Sequence, residues 1–112
     1  MDCLFCKIGA GEIPSKKIYE DEKILAFYDI DPKAPIHFLV IPKQHISCAD
    51  EINRQNSSIV SHVFEVIAQL SKELGLKNGY RVVNNCGVEG GQTVGHLHFH
   101  VLAGRNLAWP PG

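Results

Sequence analysis

The chain has 112 residues, 45% hydrophobic and 21% charged, with a formal net charge of −1. That length supports one core and not two, so a single domain over residues 1–112 is expected. Apart from Lys16-Lys17 the basic residues are scattered, which argues against a nucleic-acid polymer as partner, and no segment reaches the roughly 18–20 apolar residues of a membrane span.

The N-terminus, "MDCLFCKIGAG", has no long apolar stretch behind a basic head, so a cytoplasmic protein is expected. In a reducing compartment the close pair Cys3 and Cys6 points to metal binding or redox chemistry rather than a structural disulfide. "GEIPSKKIYED" predicts a turn leading into a short strand. "KILAFYDI" alternates Ile24, Ala26 and Tyr28 against Leu25 and Phe27, a second strand that ends at Asp29. "DPKAP" is a loop punctuated by proline. "IHFLVIPKQH" is a third strand that Pro42 closes or pushes to an edge.

From about Ser57 the period becomes helical: Ile59, Val63, Val66, Ile67, Leu70 and Leu74 form one apolar stripe, with Asn56 or Ser57 as cap and Gly75 as stop. "NGYRVVNN" predicts a turn and a fourth strand, "CGVEGGQTVG" a glycine-rich loop and "HLHFHVLAG" a fifth strand. The tail "RNLAWPPG" is irregular because adjacent prolines fix φ and remove donors. Strands on short loops with one inserted helix predict an α+β domain on a mainly antiparallel sheet of five strands.

The last strand carries the chemistry. His96, His98 and His100 alternate with Leu97, Phe99 and Val101, so the imidazoles share one face and the apolar residues the other. A neutral imidazole held as N–H at one nitrogen offers the other as nucleophile or base, and a second imidazole beside it can supply a proton or a charge. The preceding "EGGQTVG" supplies backbone N–H groups that converge on an anion, with Gln92 and Thr93 as side-chain donors. A rival is a transition metal chelated by the three histidines to activate water. Glu89 is the only acid close in sequence, with Asp29 and Asp31 able to approach in space.

"HLHFHVL" fits, at every position, the His-φ-His-φ-His-φ-φ pattern of the histidine triad proteins, φ being an apolar residue. "CKIGAGEIPSKKIYEDEKILAFYDIDPKAPIHFLVIPKQHI", "GLKNGYRVVNN" and "WPPG" extend the resemblance over nearly the whole chain, to the nucleotide-binding branch of that family. It implies the family's α+β fold, with one long helix and a short N-terminal helix on the five-stranded sheet. It also implies hydrolysis of purine nucleoside phosphoramidates to AMP or GMP. The middle histidine, here His98, would be the nucleophile and carry a nucleotidyl intermediate, with His96, His100 and His37 beside it.

The resemblance places Asn85, Gly91, Gln92, Thr93, Val94, His98 and His100 at phosphate or leaving group, Asp29 at ribose, and Leu4, Phe5, Ile8 and Ile30 around the base. Taken as residues alone, Leu4 and Ile8 are expected in the core. Dimerisation is implied too, with Trp109 at the interface of a homodimer, and His62 is expected to be structural. Bacterial members similar to this chain at the N-terminus bind a structural zinc through two cysteines and two histidines, which maps to Cys3, Cys6, His45 and His96. Three alternatives stay open: a dinucleoside polyphosphate hydrolase, a nucleotide-binding regulatory protein with incidental hydrolysis, and a redox-active CxxC protein.

Overall fold

The runs of β-branched and aromatic residues between turn signals become five antiparallel strands. They are β1 (Lys17–Glu20), β2 (Ile24–Tyr28), β3 (Ile36–Pro42), β4 (Arg81–Val83) and β5 (Phe99–Ala103), in the spatial order β1-β2-β3-β5-β4. The structure is a computed structural model that describes residues 2–112. Two helices complete it, α1 (Leu4–Gly9) and α2 (Ser58–Glu73).

Helix and sheet patterns mesh at α2. Its stripe of Ile59, Val63, Val66, Ile67 and Leu70 packs on Ile24, Ala26, Phe38 and Val40, and on Leu97, Phe99 and Val101. Burying each such side chain contributes about 1.5–3 kcal/mol. Residues of opposite parity, Leu25, Phe27, Leu39 and Ile41, meet Phe5 and Ile8 of α1 on the other face. With both faces covered, β2 and β3 are buried almost throughout, which is why they read as continuous apolar runs.

Three expectations change in detail. Neither Asn56 nor Ser57 caps α2 through its side chain. Ser57 has helical dihedrals (φ −61°, ψ −24°) and makes no capping bond, while Asn56 Oδ1 accepts from Asn53 N–H and closes the turn before the helix. Pro42 closes β3 and does not mark an edge, since β3 pairs with β2 on one side and β5 on the other. The last strand begins at Phe99, so His96, at a bend where its N–H closes on Val94 O at 2.8 Å, and His98 precede it.

Gly75 ends α2 as expected: its φ of +69° suits glycine, and Leu76 N–H closes on Ser71 O at 2.9 Å. His62 is structural, bridging α2 to the β1–β2 turn through Asp21 Oδ2 at 2.6 Å. The tail after β5 is irregular and lies along β4, where Arg81 Nη2 donates to the carbonyls of Leu107 and Ala108 at 3.2 and 3.0 Å. Among the described residues no helix is long and apolar enough to cross a membrane.

Candidate active site and metal cluster

The face of the sheet that carries α1 also carries the imidazoles. His98 is buried, and its Nδ1 lies 2.6 Å from the carbonyl oxygen of His96. A carbonyl only accepts, so Nδ1 holds the proton and Nε2 is left with a bare lone pair. Asn84 Nδ2 donates to the His98 carbonyl at 2.9 Å and fixes the backbone there. The ring is flanked edge-on by Phe5 and His100, each with its centroid 5.0 Å away.

His100 and His37 form a directed chain. Lys33 N–H donates to His37 Nδ1 at 3.0 Å, which leaves the His37 proton on Nε2. That N–H lies 2.9 Å from His100 Nδ1 and 3.4 Å from Asp29 Oδ2. His100 therefore accepts at Nδ1 and carries its own proton on Nε2. Burial pushes His100 down to about 4, helped by the neighbouring His98 and His37, so it is neutral at pH 7. Burial also lowers His37, against the opposing pull of Asp29.

Asp29, His37 and His100 lie close enough to suggest a metal site. The tautomers oppose it, because His37 Nε2 holds a proton where a metal needs a lone pair. The rival reading, a metal chelated by all three triad histidines, does not form either, since His96 turns to a different set of partners.

Those partners are Cys3, Cys6 and His45. His96 Nδ1 is 3.3 Å from Cys3 Sγ and 3.5 Å from Cys6 Sγ, and Cys6 Sγ is 3.3 Å from His45 Nδ1. A tetrahedral zinc site with ordinary bond lengths has donor–donor edges of about 3.3–3.8 Å. Two sulfurs and two imidazole nitrogens at those separations fit zinc. The outer contacts fit as well: His96 Nε2 donates to Pro42 O at 2.8 Å, leaving Nδ1 as the ligand atom. His96 is fully buried and His45 exposed.

The glycine loop is closed by a side chain that sequence alone assigned to phosphate. Gln92 Oε1 accepts from Gly87 N–H at 2.9 Å, and Nε2 donates to Ser47 O and Val94 O at 2.8 and 3.0 Å. Its polar atoms are thus committed to shaping the loop. Gly91 and Thr93 are exposed at the loop, with Val94 and Asn85 half-buried.

A cleft of about 780 Å³ opens nearby, lined by residues that include Asp29, Ile30, Tyr28 and His37. Ile30 is fully exposed and Leu4 is 47% exposed, whereas Phe5 and Ile8 are buried. The core expectation thus holds for Ile8 and fails for Leu4, which lies on the solvent side of α1. Lys33 N–H, the Pro42 carbonyl and Asn84 were not legible as site groups. Each acts through the backbone or on it, and nothing in their identity signals the partner.

The chain matches the HIT domain over residues 10–107. It is 48% identical to a HIT-like protein of Synechococcus elongatus, over 99% of this chain and 97% of that one. Among solved structures, a HIT family hydrolase from Legionella pneumophila superposes with a TM-score of 0.97 at 46% identity, covering 99% of this chain and all of the other. A histidine triad protein from Clostridium difficile gives 0.94 at 53% identity, with 96% and 95% covered. A histidine triad nucleotide-binding protein from Candida albicans gives 0.83 at 37% identity, with 97% and 83% covered.

Proposed function

Since the chain belongs to the HIT domain family, we propose that it hydrolyses purine nucleoside phosphoramidates by way of a nucleotide carried on His98. The observation that carries this is the bare Nε2 of His98, buried and held by the His96 carbonyl beside a neutral His100. The likeness to proteins named as a hydrolase and as a nucleotide-binding protein supports it.

In this scheme Nε2 of His98 attacks the α-phosphorus, the P–N bond breaks, and the amine leaves with a proton drawn from solvent, while the Nε2–H of the neutral His100 hydrogen-bonds the departing group. Water then attacks the phosphorus of the nucleotidyl-histidine and returns a proton to solvent, breaking the P–Nε2 bond and releasing AMP or GMP. Splitting one displacement into two lowers each barrier. His37 orients His100. Asp29 takes the ribose hydroxyls, Phe5, Leu4, Ile8 and Ile30 surround the base, and Asn85, Gly91, Thr93 and Val94 border the phosphate. Gln92 takes part by shaping the loop. Zinc held by Cys3, Cys6, His45 and His96 fastens α1 to the sheet, and the protein works as a cytoplasmic homodimer.

The test is intact mass spectrometry during rapid mixing with adenosine 5′-phosphoramidate, run beside His98→Asn. The expected result is a transient adduct of one AMP on His98, with AMP accumulating. The variant should bind AMP and lose more than about a thousandfold in kcat. An inactive wild type that still binds nucleotide would remove the phosphoramidase assignment.

A further inference from the structure

The metal cluster and the nucleophile are joined by two short paths. His96 supplies a ligand nitrogen through its ring and, through its main chain, the carbonyl that holds His98 Nδ1 at 2.6 Å. Phe5 lies between Cys3 and Cys6 on α1 and sets its ring against both imidazoles, with centroids 6.0 Å from His96 and 5.0 Å from His98. At six residues α1 is too short to hold its own shape in water. What fixes it is the apolar contact of Phe5 and Ile8 with the sheet together with the four-residue cluster at its first turn.

We propose that the Cys3, Cys6, His45 and His96 cluster is a positioning device for the nucleophile, so that metal loading sets how well His98 is held for attack. The cluster shares no residue with the cleft beside Asp29 or with the His37–His100 chain, so it reaches the reaction through the ring of His98 and through α1, which carries Leu4, Phe5 and Ile8. Cys3, Cys6 and His45 are positioning residues and make no contact with the reacting atoms. The inference rests on His98 being the nucleophile, and the test separates the two.

The wild-type protein is loaded with one equivalent of zinc, stripped with a chelator, and compared with His45→Ala and His45→Cys. His45 is exposed, so its truncation leaves the core intact. Zinc content is followed by native mass spectrometry. The His98 ring is followed by long-range 1H–15N spectra of histidine-labelled protein at fixed pH, and kcat and KM are measured with a phosphoramidate.

The loaded wild type should show one sharp His98 ring with the proton on Nδ1. Stripping, or His45→Ala, should broaden that signal or mix its tautomers and lower kcat about tenfold. His45→Cys should restore zinc, signal and kcat together. Loss of zinc with the His98 signal and kcat unmoved would overturn the proposal, as would a wild type that binds no zinc. A stripped protein that unfolds outright, with His45→Ala behaving as wild type, would overturn it too and leave only a general staple. If no phosphoramidate is turned over, the assigned reaction fails, and the His98 signal alone decides whether the cluster positions the ring.

Discussion

A single proton on His37 decides what His100 can do. Lys33 N–H occupies Nδ1 of His37, so the His37 proton is directed at His100, which in turn presents its own proton outward. His100 is expected to stay neutral down to about 4, and this has a thermodynamic counterpart. Where the folded pKa of an imidazole lies below its unfolded value, the unfolded chain binds protons more readily and stability falls as the pH drops. For His100 the window runs from the ordinary value of about 6.5 down to about 4, with a slope of at most about 1.4 kcal/mol per pH unit. Urea unfolding at pH 7.0, 5.5 and 4.5 should show the wild type losing more stability than His100→Gln across that range. Parallel losses in the two proteins would mean that His100 titrates normally.

At the scale of elements, the loop between β4 and β5 is shaped by its own backbone as much as by any ligand. A Cβ at Gly90 would meet the Cys86 carbonyl oxygen and nitrogen at less than contact distance, and both are main-chain atoms that cannot swing aside. Gly90→Ala should therefore open the loop and lower kcat/KM about ten- to a hundredfold, the cost of a displacement near 1 Å at a reacting centre, while the thermal midpoint hardly moves. A variant with wild-type kcat/KM would show that the loop geometry is not needed.

The same loop marks how far sequence carries. The strands, the long helix, its glycine stop and the shared face of the histidines follow from periods of 2 and 3.6. Gln92 was legible as a donor, but nothing in its neighbourhood told that Gly87, Ser47 and Val94 would consume it. Leu4 was expected inside because six residues give too few turns to show which side of α1 faces water. The CxxC pair is open between metal and redox chemistry in sequence, and only the fold shows that His45 and His96 reach it across about forty and ninety residues of chain.

For the molecule as a whole, the proposed homodimer has a surface to explain. Phe64 on α2 is 47% exposed and Trp109 in the tail is 81% exposed, and an apolar groove lined by Val60, Phe64, Leu97 and Phe99 runs between α2 and the start of β5. The edge strand β4 is three residues long, and among the described residues no strand lies on its outer side. Sedimentation velocity should give a dimer at micromolar concentration, and Phe64→Glu should shift it to monomer by placing a charge in an apolar contact. A wild type that sediments as a monomer at that concentration would remove the dimer.

The strand order also sets when chemistry becomes available as the chain folds. β1, β2 and β3 pair with their neighbours in sequence, whereas β5 reaches β3 only after a loop of roughly sixty residues has closed. Closing such a loop is entropically costly and slow compared with forming a local meander. A chain with only its first three strands in place already owns Asp29 and His37 and lacks His98, the proposed nucleophile. For the proposed reaction, reactivity arrives with the most distant pairing in the fold, so its recovery during refolding would report completion of the sheet rather than collapse of the core.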